Sequence, residues 1–127
     1  MPATATRQPL VSKTGREAEK ISVAWTSDGS GNASVSIENM YGYIIKAITD
    51  PTDGPTDNYD ITLVDENGMD ALNDSLLNRD TANTEQVYPG VTNASVPIFV
   101  CGTHTFTVAN AGATKSGVCV FYMVESL

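Results

Sequence analysis

An acidic segment, residues 50–60, holds the side chains best suited to bind a cation. Asp50, Asp53 and Asp57 lie there among Pro, Gly, Thr and Asn. Carboxylate and carbonyl oxygens are the ligands that Ca²⁺ prefers, but the spacing is not that of an EF-hand. Asp, Asn, Gly and Pro are also the residues of ordinary turns. We expect a solvated, turn-rich loop and no cofactor; if a cation binds, these three aspartates are its ligands.

Groups that catalyse reactions are otherwise scarce. The chain has one histidine, His104, and two cysteines, Cys101 and Cys119. No Gly-x-Ser-x-Gly motif accompanies the histidine, which lies within a predicted strand. Neither cysteine belongs to a Cys-x-x-Cys pair, and one histidine cannot complete a zinc site. We therefore expect a non-enzymatic protein with a strand histidine and two buried, reduced, structural thiols.

Charge is distributed unevenly along the chain. The net charge of the 127 residues is −8, which disfavours nucleic acid as a partner. Residues 1–20 nevertheless contain more basic than acidic groups, and the basic ones are Arg7, Lys13, Arg16 and Lys20. We interpret this segment as an extended basic N-terminal arm. It either docks on an acidic protein surface through those four residues or is a solvated, frayed terminus.

No apolar segment reaches the roughly 20 residues that a membrane-spanning helix needs. The longest strictly apolar run is residues 118–124. The N-terminal residues also lack the apolar region of a secretory signal. These patterns predict synthesis in the cytoplasm, reduced cysteines and no membrane partner.

The body of the chain has the period of two that is typical of strands. Ile21, Val23 and Trp25 alternate with smaller or polar residues, and a Gly-rich turn separates them from a similar segment at 33–38. This pattern predicts a hairpin. Further strands are predicted at residues 43–49, 59–65, 86–88, 96–101, 103–108 and 117–124. One short helix is possible, at residues 70–77.

The spacing of strands and turns predicts an all-β fold. We expect residues 21–127 to form one antiparallel β-sandwich or jelly roll of about 7–8 strands. A hairpin of the last two strands would place Phe106 opposite Cys119 and keep the cysteines too far apart for a disulfide. Within residues 103–108, the threonines share one face, and His104, Phe106 and Val108 share the other. The threonine face is either solvated or a flat surface that meets a partner.

Four segments resemble small virion proteins of tailed bacteriophages. They are YIIKAITDP at residues 43–51, DNYDITLVDENGMD at 57–70, NRDTANTEQVYP at 78–89 and GTHTFTVANAG at 102–112. The resemblance covers residues 35–124 and rests on pattern rather than on a catalytic motif. It implies a β-rich structural role in the particle, and it assigns no functional residues.

The resemblance implies a capsid cement or decoration protein on the exterior of the virion. Its partners would be the major capsid protein and further copies of itself, as a dimer or trimer. The alternative is a tail or head–tail junction protein that adheres to a host receptor or carbohydrate. Such a role would use exposed aromatic residues, for which Trp25, Tyr41, Tyr59 and Tyr88 are candidates, with Trp25 expected in the core. A hydrolytic enzyme would need paired acids in a pocket, which the sequence does not indicate.

Overall fold

The structure, a computed structural model, describes residues 3–11, 17–55, 58–91 and 94–127, and all its regular elements are strands. No helix in these ranges is long and apolar enough to cross a membrane. The strands are β1 (Ala3–Val11), β2 (Glu17–Thr26), β3 (Ala33–Asp53), β4 (Asp60–Val64), β5 (Glu85–Val87), β6 (Gly90–Val91), β7 (Ala94–Ser95), β8 (Ile98–Ala109) and β9 (Ser116–Val124). The predicted all-β fold is therefore confirmed.

The long strand β3 belongs to two groups of partners. The order of strands is β1-β2-β9-β3-β8-β4, with β5 also paired to β3, and β6 and β7 form a small second sheet. The first half of β3, up to Ile44, pairs with β8, and the second half, from Tyr43 onward, pairs with β9. All pairs are antiparallel. The arrangement is consistent with a β-sandwich whose two layers share β3.

Alternation along each strand builds the core between the layers. In β9, Cys119, Phe121 and Met123 are buried, and in β8 the buried residues include Phe106. The rings of Phe106 and Phe121 lie 6.2 Å apart at 75° to each other, although their strands are not hydrogen-bonded neighbours. This edge-to-face contact joins the two layers. The inward face predicted for His104, Phe106 and Val108 is confirmed.

The predicted hairpin of β2 and β3 is wrong, and the last two strands do not form a hairpin either. The turn after β2 leads to β3, but β2 pairs with β1 and β9. Likewise β8 pairs with β3 and β4 rather than with β9, so Phe106 is not the register partner of Cys119. A turn permits adjacent strands to pair but does not require it. Because β9 is apolar along its whole length, a central place between β2 and β3 buries more of it than a hairpin edge would.

The segment predicted as a helix forms irregular turns instead. Asn73 and Asp74 have φ values of 52° and 62°, in the left-handed region that interrupts a right-handed helix. The carboxylate of Asp70 accepts backbone N–H groups from Leu63, Leu72 and Asp74. Leu72 and Leu76 are fully buried. The apolar positions that indicated a helix therefore anchor a capped turn to the core.

The described parts of the predicted N-terminal arm belong to the sheet. Ala3–Val11 is the edge strand β1, and it pairs with β2 along nine residues. Ala3 and Ala5 pack against the core. Thr and small apolar residues suit a pleated surface. A segment without a periodic apolar pattern can therefore still form an edge strand with one face against the core. Lys13 and Arg16 lie outside the described residues.

Candidate functional site

Three aromatic side chains form an exposed cluster where β3 passes between the layers. Tyr43 lies opposite Phe99 in the β3–β8 register. The Phe99 ring is 5.7 Å from Tyr41 and 5.4 Å from Tyr43, measured between ring centroids. Tyr41 is 59% exposed and Phe99 is 52% exposed. Such rings are costly to leave in water and are enriched at protein interfaces.

Strict alternation in β3 turns these rings outward. Met40, Gly42 and Ile44 face the core, so Tyr41 and Tyr43 face solvent. Gly42 has a φ of 132°, and a Cβ there would lie 2.5 Å from the carbonyl oxygen of Val124. Only glycine permits this close approach of β3 to the end of β9. The backbone crossing thus fixes the position of the aromatic cluster.

Apolar residues continue from the cluster across the neighbouring strands. Tyr43 also lies opposite Val124 of β9, Val124 lies opposite Ala18 of β2, and Ala18 lies opposite Leu10 of β1. We call the set Tyr41, Tyr43, Phe99, Val124, Ala18 and Leu10 the aromatic surface. It runs across five strands. A continuous apolar surface of this kind marks a site of protein or ligand binding more often than scattered exposed residues do.

A groove of about 370 Å³ borders the aromatic surface. Tyr88 lines it, and Lys46, Tyr122 and Val124 are among its other lining residues. The Lys46 ammonium lies 4.9 Å from the centre of the Tyr122 ring, a cation–π contact. Tyr88 is 51% exposed. The groove presents two aromatic side chains and one cation, a combination suited to binding rather than to acid–base catalysis.

A second cavity, of about 220 Å³, lies beside Tyr41 and is lined by charged residues. Arg7 and Glu19 form an ion pair in it, and this hydrogen bond raises the pKa of Arg7. Glu17 and Glu125 also line the cavity, and a hydrogen bond between their carboxyl groups raises the pKa of Glu125. The Arg7 side chain remains partly exposed here but is already paired.

Of the four basic residues predicted to bind a partner, the structure describes Arg7 and Lys20, and these two do not lie together. Arg7 lies opposite the buried Ile21, whereas Lys20 lies opposite Gln8 on the other face of the same pair of strands. Arg7 also donates hydrogen bonds to the backbone carbonyls of Glu38 and Asn39. The charge pattern could not show this internal use of Arg7. Arg7 nevertheless remains exposed, whereas Lys20, on the other face, is half-buried.

Of the three predicted cation ligands, the structure describes Asp50 and Asp53, both in β3. Asp50 lies within β3, and its carboxylate accepts a hydrogen bond from the Thr84 hydroxyl at 3.2 Å. Asp53 ends β3, and Asp57 lies outside the described residues. Across the described ranges, no three His, Cys, Asp or Glu side chains are grouped closely enough to hold a metal ion. The turn-rich loop expected from residue 50 onward begins only after Asp53.

The remaining candidates differ in exposure. His104 is 2% exposed, with its Nδ1 atom 3.3 Å from the carbonyl oxygen of Gly102. Cys119 is buried and burial raises its pKa, but Cys101 is exposed, so the prediction of two buried thiols is wrong for Cys101. Trp25 is buried as expected.

Among the other aromatic candidates, Tyr59 is fully buried, whereas Tyr41 and Tyr88 are exposed. Phe99 was missed because alternation alone does not show which face of an apolar strand meets solvent. Its exposure depends on the bend of β3 and on the register with Tyr43.

Comparison with known proteins adds no family. No family model matches the chain, and no curated protein matches it. Among solved structures, the chain is similar to a protein of Bacillus endospore appendages, described as a family of disulfide-linked pili. The identity is 15%, the match covers 95% of this chain and 90% of that one, and the TM-score is 0.42. It is also similar to an exo-beta-agarase at 9% identity, covering 98% of this chain but 22% of that one, with a TM-score of 0.35.

Proposed function

We propose that the protein is a non-enzymatic structural component of a tailed-phage virion. In this role it decorates the capsid and stabilises the shell of the major capsid protein. The observation that carries the proposal is the aromatic surface, where Tyr41 and Phe99 remain exposed and their rings contact each other. We infer the placement in a virion from the resemblance of four segments of the sequence to phage structural proteins.

The aromatic surface has the properties of a docking site on a rigid scaffold. Its side chains project from strands, and the Phe99 ring already contacts both Tyr41 and Tyr43. Pre-ordered rings lose little conformational freedom on binding. Many copies on a repeating shell would each need only a modest affinity for the particle to gain stability. The negative charge of the chain keeps free copies soluble and apart from the packaged genome.

A tail or head–tail junction protein that adheres to a host receptor is the second candidate. The groove beside the aromatic surface favours it, because the exposed Tyr88 lines it together with Tyr122, and aromatic side chains are common in sugar-binding sites. The two candidates differ in where the protein sits on the particle and in how many copies are present.

The test is to locate the protein in purified particles of the phage whose genome encodes it. Cryo-electron microscopy and quantitative mass spectrometry give the position and the number of copies relative to the major capsid protein. Many copies spread over the shell support decoration. A few copies at the tail vertex support the second candidate, and absence of the protein from the particles overturns both.

A binding experiment then tests the surface itself. Shells stripped of the protein are mixed with the purified chain and sedimented, and bound protein is measured. We expect the double substitution Tyr41→Ser and Phe99→Ser to weaken binding at least about tenfold, since such aromatic residues often dominate an interface. Thr105→Ser is the matched control, because Thr105 is exposed on the same strand, β8. Equal binding of both variants would exclude the aromatic surface as the shell contact.

A further inference from the structure

The outer face of β9 is apolar although it is not part of the core. Cys119 and Phe121 point into the sandwich, whereas Val118, Val120 and Tyr122 alternate with them and are only half-buried. A strand that is apolar on both faces is typical of a sheet covered on both sides. In the described chain the other layer covers the inner face. The outer face therefore lacks the covering that its composition indicates.

The neighbouring strands extend this face in a regular grid. In the middle row, Val120 lies between Ile48 of β3 and Ser22 of β2. One row away on either side, Tyr122 lies opposite Lys46, and Val118 lies opposite Asp50. The pairing from Lys46 to Asp50 contains no bulge. Ala24 and Lys20 of β2 lie opposite Val118 and Tyr122. We call the resulting nine residues the β9 face: Val118, Val120, Tyr122, Lys46, Ile48, Asp50, Lys20, Ser22 and Ala24.

Lys46 and Asp50 lie symmetrically about the middle row of the β9 face, whereas Lys20 has Ala24 as its counterpart in the other row. Lys46 and Asp50 occupy the same strand and the same face, with Ile48 between them. In the described part of the chain neither residue belongs to an ion pair. A half-turn about an axis along the middle row exchanges the Lys46 row with the Asp50 row. Lys46 and Asp50 are therefore complementary in charge to the same two residues of a second copy.

We propose that a second copy of this chain covers the β9 face in a two-fold symmetric dimer. The two sheets pack face to face, with Val120 near the axis and Tyr122 against the partner's Val118. Lys46 then pairs with the partner's Asp50, and by symmetry Asp50 pairs with the partner's Lys46. Stacked sheets of this kind lie about 10 Å apart, and an isologous contact closes at two copies.

Self-complementarity favours a second copy over other occupants. An anionic membrane would attract Lys46 and Lys20 but would bury the carboxylate of Asp50 against negative charge. A uniformly acidic protein surface meets the same difficulty. Only a partner that offers a cation opposite Asp50 and an anion opposite Lys46 satisfies both, and the chain itself does so at the required spacing.

The dimer goes beyond the proposed function and does not depend on it. The β9 face is centred on Val120, whereas the aromatic surface is centred on Tyr43 and Phe99, further along β3 and β8. Dimerisation would cover the groove lined by Lys46 and Tyr122 but would leave Tyr41 and Phe99, which lie outside the β9 face, available to a larger partner. Each dimer would then have two points of attachment to the shell, one from each copy.

The test uses the full chain in sedimentation equilibrium over a range of concentrations. We expect a monomer–dimer equilibrium that Val120→Asp shifts to monomer. Thr105→Asp places the same charge on an exposed strand position of the other layer and should leave the equilibrium unchanged. Equilibrium urea unfolding checks that each variant is folded. A wild-type chain that stays monomeric at about 100 μM, well above the dissociation constant of a specific dimer, would overturn the proposal.

A charge exchange tests the symmetry directly and uses surface positions that do not disturb the core. Lys46→Asp and Asp50→Lys should each raise the dimer dissociation constant about tenfold, since each brings like charges together twice per dimer. The double variant should return to within about threefold of the wild type. Failure of the exchange to restore the dimer would reject this two-fold contact. Shell binding, measured separately, decides the proposed function, so each can fail alone.

Discussion

Arg7 and Glu19 form a two-point ion pair that joins the edge strand β1 to β2. The Arg7 Nε atom lies 2.6 Å from Glu19 Oε2, and Nη2 lies 2.8 Å from Oε1. The same guanidinium donates to the carbonyl oxygens of Glu38 and Asn39 at the bulge in β3. One side chain therefore connects β1, β2 and the strand shared by both layers.

We expect Arg7→Gln to lower the free energy of unfolding by about 1–2 kcal/mol, because a bidentate pair and two carbonyl contacts are lost together. Arg7→Lys should recover little of this, since an ammonium cannot form the planar fork. Urea unfolding followed by tryptophan fluorescence gives the values. The neighbouring Gln8→Ala, on the exposed face of β1, serves as the control and should change stability by less than about 0.5 kcal/mol.

Gly42 should tolerate no side chain. We expect Gly42→Ala to cost more than about 2 kcal/mol, because the added methyl group meets the Val124 carbonyl in a backbone conformation that L-residues avoid. Thermal or urea unfolding measures the loss. Gly29→Ala is matched to it, since a Cβ at Gly29 has no atom within 4 Å. If both variants unfold alike, the close crossing of β3 and β9 is wrong.

The two cysteines should react at very different rates in the folded protein. Cys101 is exposed, whereas burial of Cys119 raises its pKa and excludes reagents. Treatment with iodoacetamide at pH 8, followed by intact mass spectrometry, should add one carbamidomethyl group to the native chain and two in urea. Peptide mapping should place the first group on Cys101. Modification of Cys119 in the native state would contradict the described core.

Alkaline pH should weaken the fold through Tyr59. Burial raises the pKa of Tyr59 to about 12 from its usual value of 10.0. The folded state thus holds this proton more tightly, so the stabilisation is fully present below pH 10 and is lost as the pH rises towards 12. We expect a loss of up to about 2–3 kcal/mol across this range. Tyr59→Phe should show a smaller loss, and identical pH profiles of unfolding would reject the burial of the hydroxyl.

The sequence pattern predicted the strands far better than their partners. Alternation at Ile21, Val23 and Trp25, and again at His104, Phe106 and Val108, correctly identified the residues that face the core. The prediction of strand pairing was wrong because pairing depends on which distant strand can bury the most apolar surface. The apolar run in β9 contained that information, because a strand that is apolar on both faces favours a central position in a sheet.

The candidate site was less predictable for a related reason. Tyr41 and Tyr88 were named from residue type, but the clustering of Tyr41 with Phe99 follows from the β3–β8 register and the crossing at Gly42. Arg7 was expected to contact a partner because charge alone does not reveal an internal acceptor. Three carbonyl and carboxylate groups, on β2 and at the bulge in β3, satisfy it only once the strands are assembled.

The shared strand β3 also sets when the chain can fold during its synthesis. Its first half needs β8 and its second half needs β9, and both follow it by many residues; β2 likewise waits for β9. A ribosome must therefore release nearly the whole sequence before either layer has its central ladder. Such non-local pairing slows folding, because the chain must lose the entropy of closing large loops before the stabilising contacts can form. Until β9 emerges, the nascent chain exposes Ile21, Val23 and Trp25. We expect chaperones to bind the chain mainly during this interval.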